Sequence, residues 1–573
     1  MDRERDWEFY LRSLSLSARE SSSSNDPTAS DPSLLQSVRK LCEICKNEKS
    51  EDLVARVYPQ MNKLFQRTVA SQSQSPSHNS SLLLLAILQF FLDFGEVVLH
   101  DADPSLRTYF RSCLSREFSD PAVAAATLDF LNANKIKIIS SFPTLLPEFF
   151  PLLLKLIAWN GEKLERPVLK IFPGLVSPGS FLPLFPSLVD LPILVVALEK
   201  VERSSGSLVG SSIASIQKSA APEMLIQLMD ESYTGSTIED IGVNSEIEGS
   251  DSIDVSDSLF LDLLKDENDG LAERHWTSPG MAAALQSLIK SSQSERLRQA
   301  LLMTPRLLDV YFSIALHEVN NSLICALIPL LMSRYDSLFP DRIFSYEVRR
   351  RLLEFMLAAF HRSPDFIALL KKPIIDRLGE AYDSSAKTEL ALQLCWAIGE
   401  HGGGGGSRKD IARELFESLE LLLYENLSSS RLGLSQESSV TSADAASRKS
   451  SQARLLCFVI TAIAKLATFH RELLPRARVS LAKVARSRNS DMRVWRRARD
   501  YLGLMNEPAL CMSVLGPLSG HQGSPGTVNW TDGGSKMIAH VPFYILNDQE
   551  GPPFHDFSFS DIIPRSSEKK QAI

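Results

Sequence analysis

The amino-acid sequence predicts an all-α protein, a stack of helix pairs of the α-solenoid kind. Three observations carry that prediction. Strand signals are nearly absent, with few alternating Val/Ile/Thr runs and no Asn-Gly hairpin dipeptides between them. Apolar residues recur at helical spacing along most of the 573 residues. The breaks between such segments are short, which implies antiparallel neighbours stacked in sequence. Helix pairs of about 40 to 47 residues without a strict repeat fit the HEAT or armadillo pattern.

The chain begins "MDRERDWEFYLRSLS", charged and without the apolar core of a signal peptide. Its longest apolar run, Leu82 to Leu92 in "LLLLAILQFFL", contains Gln89 and is followed by Asp93 and Glu96. That run falls well short of the roughly 20 residues a bilayer-crossing helix needs. A soluble protein facing the cytosol or nucleus is therefore expected. Seven scattered cysteines read as reduced, mostly buried thiols. "CEIC" (Cys42, Cys45) has half the spacing of a zinc site, but no second pair follows. The helical pattern of Leu35, Val38, Leu41 and Cys42 places both thiols in the core instead.

Further along, breaks such as "SREFSDPA", "LFPDRIFS", "HRSPD" and "YDSSAK" separate helical runs. Proline recurs at helix starts, as in "FPTLLPEFFPLLLKLIAWN", where its fixed φ suits the first turn but blocks the interior. Residues 230–270 carry 13 Asp/Glu against the single Lys265, net −12 where the whole chain is −8. So acidic a stretch buries too little apolar surface to order itself and reads as a flexible insertion.

Beyond it, "SYEVRRRLLEFMLAAFHR" sets Val348, Leu352, Phe355/Met356 and Ala359 on one side. "SRKDIARELFESLELLLYENL" does the same with Ile411, Leu415, Leu419 and Leu422/Leu423, and Ser407 is placed to cap it. A Ser-rich stretch, 428–452, reads as a mobile loop. After about Gly516 the helical pattern lapses into a Gly- and Pro-rich tail carrying Trp530, Phe543, Tyr544, Phe554, Phe557 and Phe559. That tail reads equally as a strap, a partner-binding segment or a disordered end. The expected organisation is a first solenoid half (1–229), the acidic insertion (230–270), a second half (271–515) and an irregular tail (516–573).

The chemistry-bearing fragments all break down. The glycine run Gly402 to Gly406 follows a helix and lacks the Gly-Lys-Ser/Thr of a phosphate loop. Ser407 stands where a dinucleotide loop needs its third glycine. "HEVNN" (His317 to Asn321) lacks the second His of a zinc hydrolase and reads as a surface His–Glu pair. "DENDG" places Gly270 one position too early for a calcium loop. Neither "LLLYE" (Leu421 to Glu425) nor "SLFLDLLKDE" fits a clathrin-binding box. No enzyme, cofactor or metal site is expected.

Charge concentrates elsewhere. From Arg471 to Arg499 the chain holds ten Lys/Arg and two acids. Arg476, Arg478, Lys483, Arg486, Arg488, Arg493, Arg496, Arg497 and Arg499 decorate one or two helices, with Val479, Val484 and the intervening Leu/Ala positions as the core stripe. Two readings stand. One is a merely solvated face. The other is a seat for anionic lipid head groups or an acidic partner, at up to about 1 kcal/mol per well-placed charge. Nucleic acid is not expected, because the chain is acidic overall and only Trp495 interleaves the charges.

"TELALQLCWAIGE" ends just before the glycine run. It has four polar residues, of which Glu389, Gln393 and Glu400 fall on one line and Thr388 sits at the cap. Apolar on nearly every side, it reads as an inner helix of the stack. Gly399 lets another helix approach, and Gly402 ends the helix through a left-handed residue.

This segment, "CWAIGEHG", resembles the W-x-I-G-E-Y-G element in the trunk helices of large adaptor-complex (adaptin) subunits. Trp396, Ile398, Gly399, Glu400 and Gly402 match it, and His401 replaces the usual aromatic. With length and helical layout added, the chain resembles the zeta-type large subunits of the fifth adaptor protein complex over most of residues 30–515. The resemblance implies an adaptin-trunk solenoid assembled with beta-, mu- and sigma-type adaptin chains. It also implies association with spatacsin- and spastizin-like proteins, and a peripheral place on late endosome or lysosome membranes in cargo sorting. The chain's end near residue 573 leaves no space for a folded ear, which puts ear-type recruitment in doubt. Another HEAT-type scaffold, for nuclear transport or DNA repair, is the alternative.

Overall fold

The computed structural model describes residues 2–17, 32–72, 78–205, 209–210, 212–213, 263–268, 294–403, 409–432, 442–487 and 491–515. All regular elements among them are helical, an all-α solenoid with no strand among the described residues. Counting helices of eight residues or more, the first part of the chain forms α1 (Asp2–Ser17), α2 (Pro32–Glu48), α3 (Glu51–Gln72), α4 (His78–Phe94), α5 (Pro121–Ala133), α6 (Phe150–Asn160), α7 (Phe181–Val189) and α8 (Leu191–Ser205). The second part forms α9 (Glu295–Glu318), α10 (Asn321–Arg334), α11 (Arg342–Arg362), α12 (Lys371–Gly379), α13 (Ser385–His401), α14 (Lys409–Leu432), α15 (Ser442–Phe469), α16 (Leu474–Arg486), α17 (Met492–Asn506) and α18 (Pro508–Leu515).

Two compact units result: Met1–Tyr311 with Phe339–Phe344, and Phe312–Leu338 with Ser345–Ile573. The division falls inside α9, whereas the sequence reading split the solenoid at 230–270.

Local chemistry explains several starts. Asp120 precedes α5 in extended backbone and accepts from Ala122 N at 2.8 Å and Val123 N at 3.2 Å, with Pro121 in the first turn. Asn320 caps α10 in the same way through Leu323 N. Proline does not stop every helix, however. Pro59, Pro186, Pro305 and Pro329 lie inside α3, α7, α9 and α10. Tertiary burial of the flanking apolar residues outweighs the one lost backbone bond at each.

In the first unit, Cys42 and Cys45 sit in the core of α2, as the periodicity predicts. Burial pushes their thiols up to about 12 and about 11, so both stay protonated. In the second unit, His317 bonds its own helix, with Nδ1 2.7 Å from Ser313 O.

The second unit is organised around α15. Leu455, Cys457, Val459, Ile460, Ile463, Ala464 and Leu466 are fully buried, and α13, α14, α16, α17 and α18 pack around it. Lys449–Phe469 is apolar and long enough to cross a membrane by length and composition, a feature that Leu82 to Leu92, the run singled out in the sequence, does not reveal. Its residues are mostly buried inside the unit, which is why it is apolar on all sides.

Two expected loops contract. Helices α14 and α15 run through most of 428–452, leaving only 433–441 outside the described residues. Within 230–270, residues 263–268 are packed against the first unit, with Leu263 and Leu264 buried. The remainder of that insertion, Ser407, Gly404 to Gly406, Arg488 and the tail 516–573 lie outside the described residues.

Candidate functional site

The matched segment lies at the end of α13, where this helix crosses α15. Ser384, not Thr388, caps α13: its side chain accepts from Lys387 N at 3.1 Å. Thr388 sits one turn inside and donates to Ala381 O at 2.7 Å and Ser384 O at 3.0 Å. The helix thus begins a turn earlier than predicted because the side chain in extended backbone is Ser384, with φ −150° and ψ 161°.

Gly399 faces α15 as the sequence suggests. A Cβ there would stand 3.0 Å from Ala462 Cα and 3.4 Å from Lys465 Cδ. At Gly403 it would overlap the Phe469 ring at 2.5 Å. Gly402 ends α13 in right-handed backbone, φ −70° and ψ −16°, not in the left-handed conformation expected. Its small size has a packing reason instead, since a Cβ there would meet Ile398 O at 2.5 Å and Leu466 Cδ2 at 3.2 Å. The first glycines of the run are seams against α15.

The polar line of α13 is interior. Glu400 is an ion partner of Lys465, with side chains 8% and 2% exposed. Burial lowers the lysine's pKa, and the carboxylate works against that fall. Glu389 accepts from Tyr335 OH at 3.0 Å, and burial raises its carboxyl. Gln393 is fully buried with neither amide atom hydrogen-bonded. Ile398 is buried in the core, while half-buried Trp396 meets His401 edge-on at 5.9 Å.

The basic stretch forms α16 and α17, and the structure divides its cations. Arg476 turns inward to α14: Nε donates to Glu420 at 2.8 Å and Nη1 to Glu417 at 2.8 Å. Those bonds, Glu417 first, raise its pKa and fix the charge. Arg497 is 8% exposed and donates to Thr461 Oγ1 at 3.2 Å, so it is a core residue of the α15–α17 contact. Arg493 pairs at 3.0 Å with Asp491, the N-cap of α17. Arg478 reaches Met505 O in the last turn of α17, where carbonyls lack helical partners.

Lys483, Arg486, Arg496 and Arg499 are exposed. Lys483 Nζ lies 4.4 Å above the Tyr424 ring, and Arg499 lies 4.8 Å from Trp495. Val479, read as part of the core stripe, is 56% exposed; Ala477, Ser480, Leu481 and Val484 form that stripe. Val479 was misplaced because it is as apolar as Val484, although two residues five positions apart do not share one face of a helix. Ser480 takes a core place by bonding Glu420.

Comparison with known proteins places this geometry. Residues 29–155 match a family described as AP-5 complex subunit, vesicle trafficking. Residues 168–525 match a second, described as AP-5 complex subunit zeta-1, C-terminal TPR repeats. TPR units are helix pairs of about 34 residues, shorter than the 40 to 47 read from the sequence. Two curated relatives are named AP-5 complex subunit zeta-1. The Mus musculus protein is 25% identical over 532 residues, covering 90% of this chain and 60% of the relative. The Homo sapiens protein is 25% identical over 450 residues, covering 76% and 50%. The chain therefore spans about half to three-fifths of the length of the relatives it matches. No solved structure matches it. With the glycine seam and the inner helix it serves lying inside the larger matched region, the chain belongs to the AP-5 complex subunit zeta-1 family.

Proposed function

We propose that this chain is the large scaffold subunit of a heterotetrameric adaptor complex, holding beta-, mu- and sigma-type adaptin chains without catalysing a reaction. Its place is peripheral, on late endosome or lysosome membranes, in protein sorting, with spatacsin- and spastizin-like proteins as further partners. The observation that carries this reading is the match of 168–525 to zeta-1 helical repeats, a span that includes the helices α13, α14, α16, α17 and α18 packed around α15. Helical stacks suit such work because each repeat leans on its neighbours while long surfaces stay open for partners.

Membrane attachment is assigned to the exposed cations Lys483, Arg486, Arg496 and Arg499 on α16 and α17. Anionic head groups attract such clusters, and the attraction is screened by salt. Purification of the chain with its native companions tests the scaffold reading. Recovery of one medium and one small adaptin-like chain is the expected result. Recovery of nuclear transport or repair factors alone overturns it in favour of another helical-repeat scaffold.

A further inference from the structure

Residues Leu263–Asn268, "LLKDEN", lie against the first unit although both flanks fall outside the described residues. Their contacts are those of a bound peptide. Leu263 and Leu264 are 6% and 0% exposed. Leu152 N, in the first turn of α6, donates to Asp266 O at 3.2 Å, and Asn268 N donates to Glu148 O at 2.7 Å. The sequence explains the first bond: Phe149, the N-cap of α6, has no side-chain acceptor, so the helix start keeps donors to offer.

Charge completes the fit. Lys155 on α6 is 0% exposed, and its ammonium donates to Asp266 Oδ1 at 2.8 Å and to Leu264 O. Among the described residues, every hydrogen bond and ion pair of that ammonium goes to this segment, and the Phe118 ring lies 5.9 Å away. Arg111 holds Glu267 with two bonds, 2.6 Å to Oε1 and 3.0 Å to Oε2, and lies 5.6 Å from the Phe149 ring. A buried ammonium whose compensation comes wholly from a segment more than a hundred positions away marks a site built for an acidic ligand.

We propose that this face of the first unit is a peptide-binding site for a partner's segment with two adjacent leucine-like residues followed, one position on, by two acids. In this chain the site is filled by its own residues 263–268, which a partner must displace. As an intramolecular ligand the resident segment competes by proximity, so exchange is the regulated step. This inference does not depend on the adaptor reading.

The test uses the full chain and a fluorescein-labelled peptide of residues 258–270. Wild type is compared with a variant carrying Leu263→Ser, Leu264→Ser, Asp266→Ser and Glu267→Ser. The emptied variant is expected to bind the peptide at least tenfold more tightly than wild type. Adding Lys155→Met and Arg111→Ala is expected to reverse that gain, as is replacing Asp266 and Glu267 of the peptide by amides. A folded emptied variant that binds no better than wild type overturns the proposal and leaves 263–268 as a fixed strap. A second measurement keeps every contact residue. Protease sites are inserted within 230–250 and 275–290, both tethers are cut, and excess labelled peptide is added. Exchange supports the site, whereas a fragment that stays bound without exchanging overturns it.

Discussion

Glu400 and Lys465 meet as an ion pair between α13 and α15, at the point where Gly399 lets the two helices touch. Neither partner is exposed enough for water to replace the other. Removing one leaves a buried charge uncompensated, which costs about 3–5 kcal/mol, whereas replacing both by apolar groups of similar volume is often neutral. Glu400→Gln is therefore expected to lower the urea midpoint of the second unit sharply. Glu400→Leu combined with Lys465→Met is expected to recover most of the loss. A double variant as unstable as the single one sinks the pairing argument.

The same pair has a pH signature. Burial lowers the pKa of Lys465 below 10.5, so the unfolded chain binds more protons there than the folded one. Stability contributed by this group therefore rises with pH through the window below 10.5. Without Glu400 the depression deepens, because the carboxylate works against it. The deficit of Glu400→Gln relative to wild type is expected to shrink between pH 7 and pH 10. Denaturation curves of both proteins at the two pH values decide it, and a deficit that grows contradicts the assignment.

Glycines separate by surroundings. Gly399→Ala forces a methyl to 3.0 Å from Ala462 Cα and is expected to cost about 1–3 kcal/mol. Gly503, exposed within α17, has nothing within 4 Å of the place a methyl would take. Gly503→Ala is expected to stabilise by about 0.5–1 kcal/mol, since alanine restricts the unfolded chain and favours helix. Thermal unfolding of the two variants should move in opposite directions.

How much of this was legible in the sequence depended on which force decided each element. Helix periodicity announced the all-α fold, the core place of Cys42 and Cys45, and the inner character of α13, because burial of apolar stripes set all of them. The close approach at Gly399 was readable because glycine in a crowded apolar helix has few other uses. Charge was harder. Nothing in "RVWRRARD" distinguishes Arg497, in the core beside Thr461, from Arg496 and Arg499 outside; only the packing of α17 on α15 does. Nor could composition show that Leu263 to Asn268 docks, since its partners Lys155 and Arg111 lie far away in sequence.

That division of the arginines gives the test of the basic face. Arg497→Glu buries a carboxylate beside Thr461 and is expected to destabilise by more than about 2 kcal/mol. It is therefore unsuited to any test of binding. Arg486, Arg496 and Arg499 are exposed, so changing all three to Glu is expected to leave the melting temperature nearly unchanged. The same triple variant is expected to lose sedimentation with vesicles containing anionic lipid, while wild type binds and releases as salt is raised. A folded triple variant that still sediments with the vesicles would remove membrane attachment from α16 and α17 and leave their charges as a solvated face.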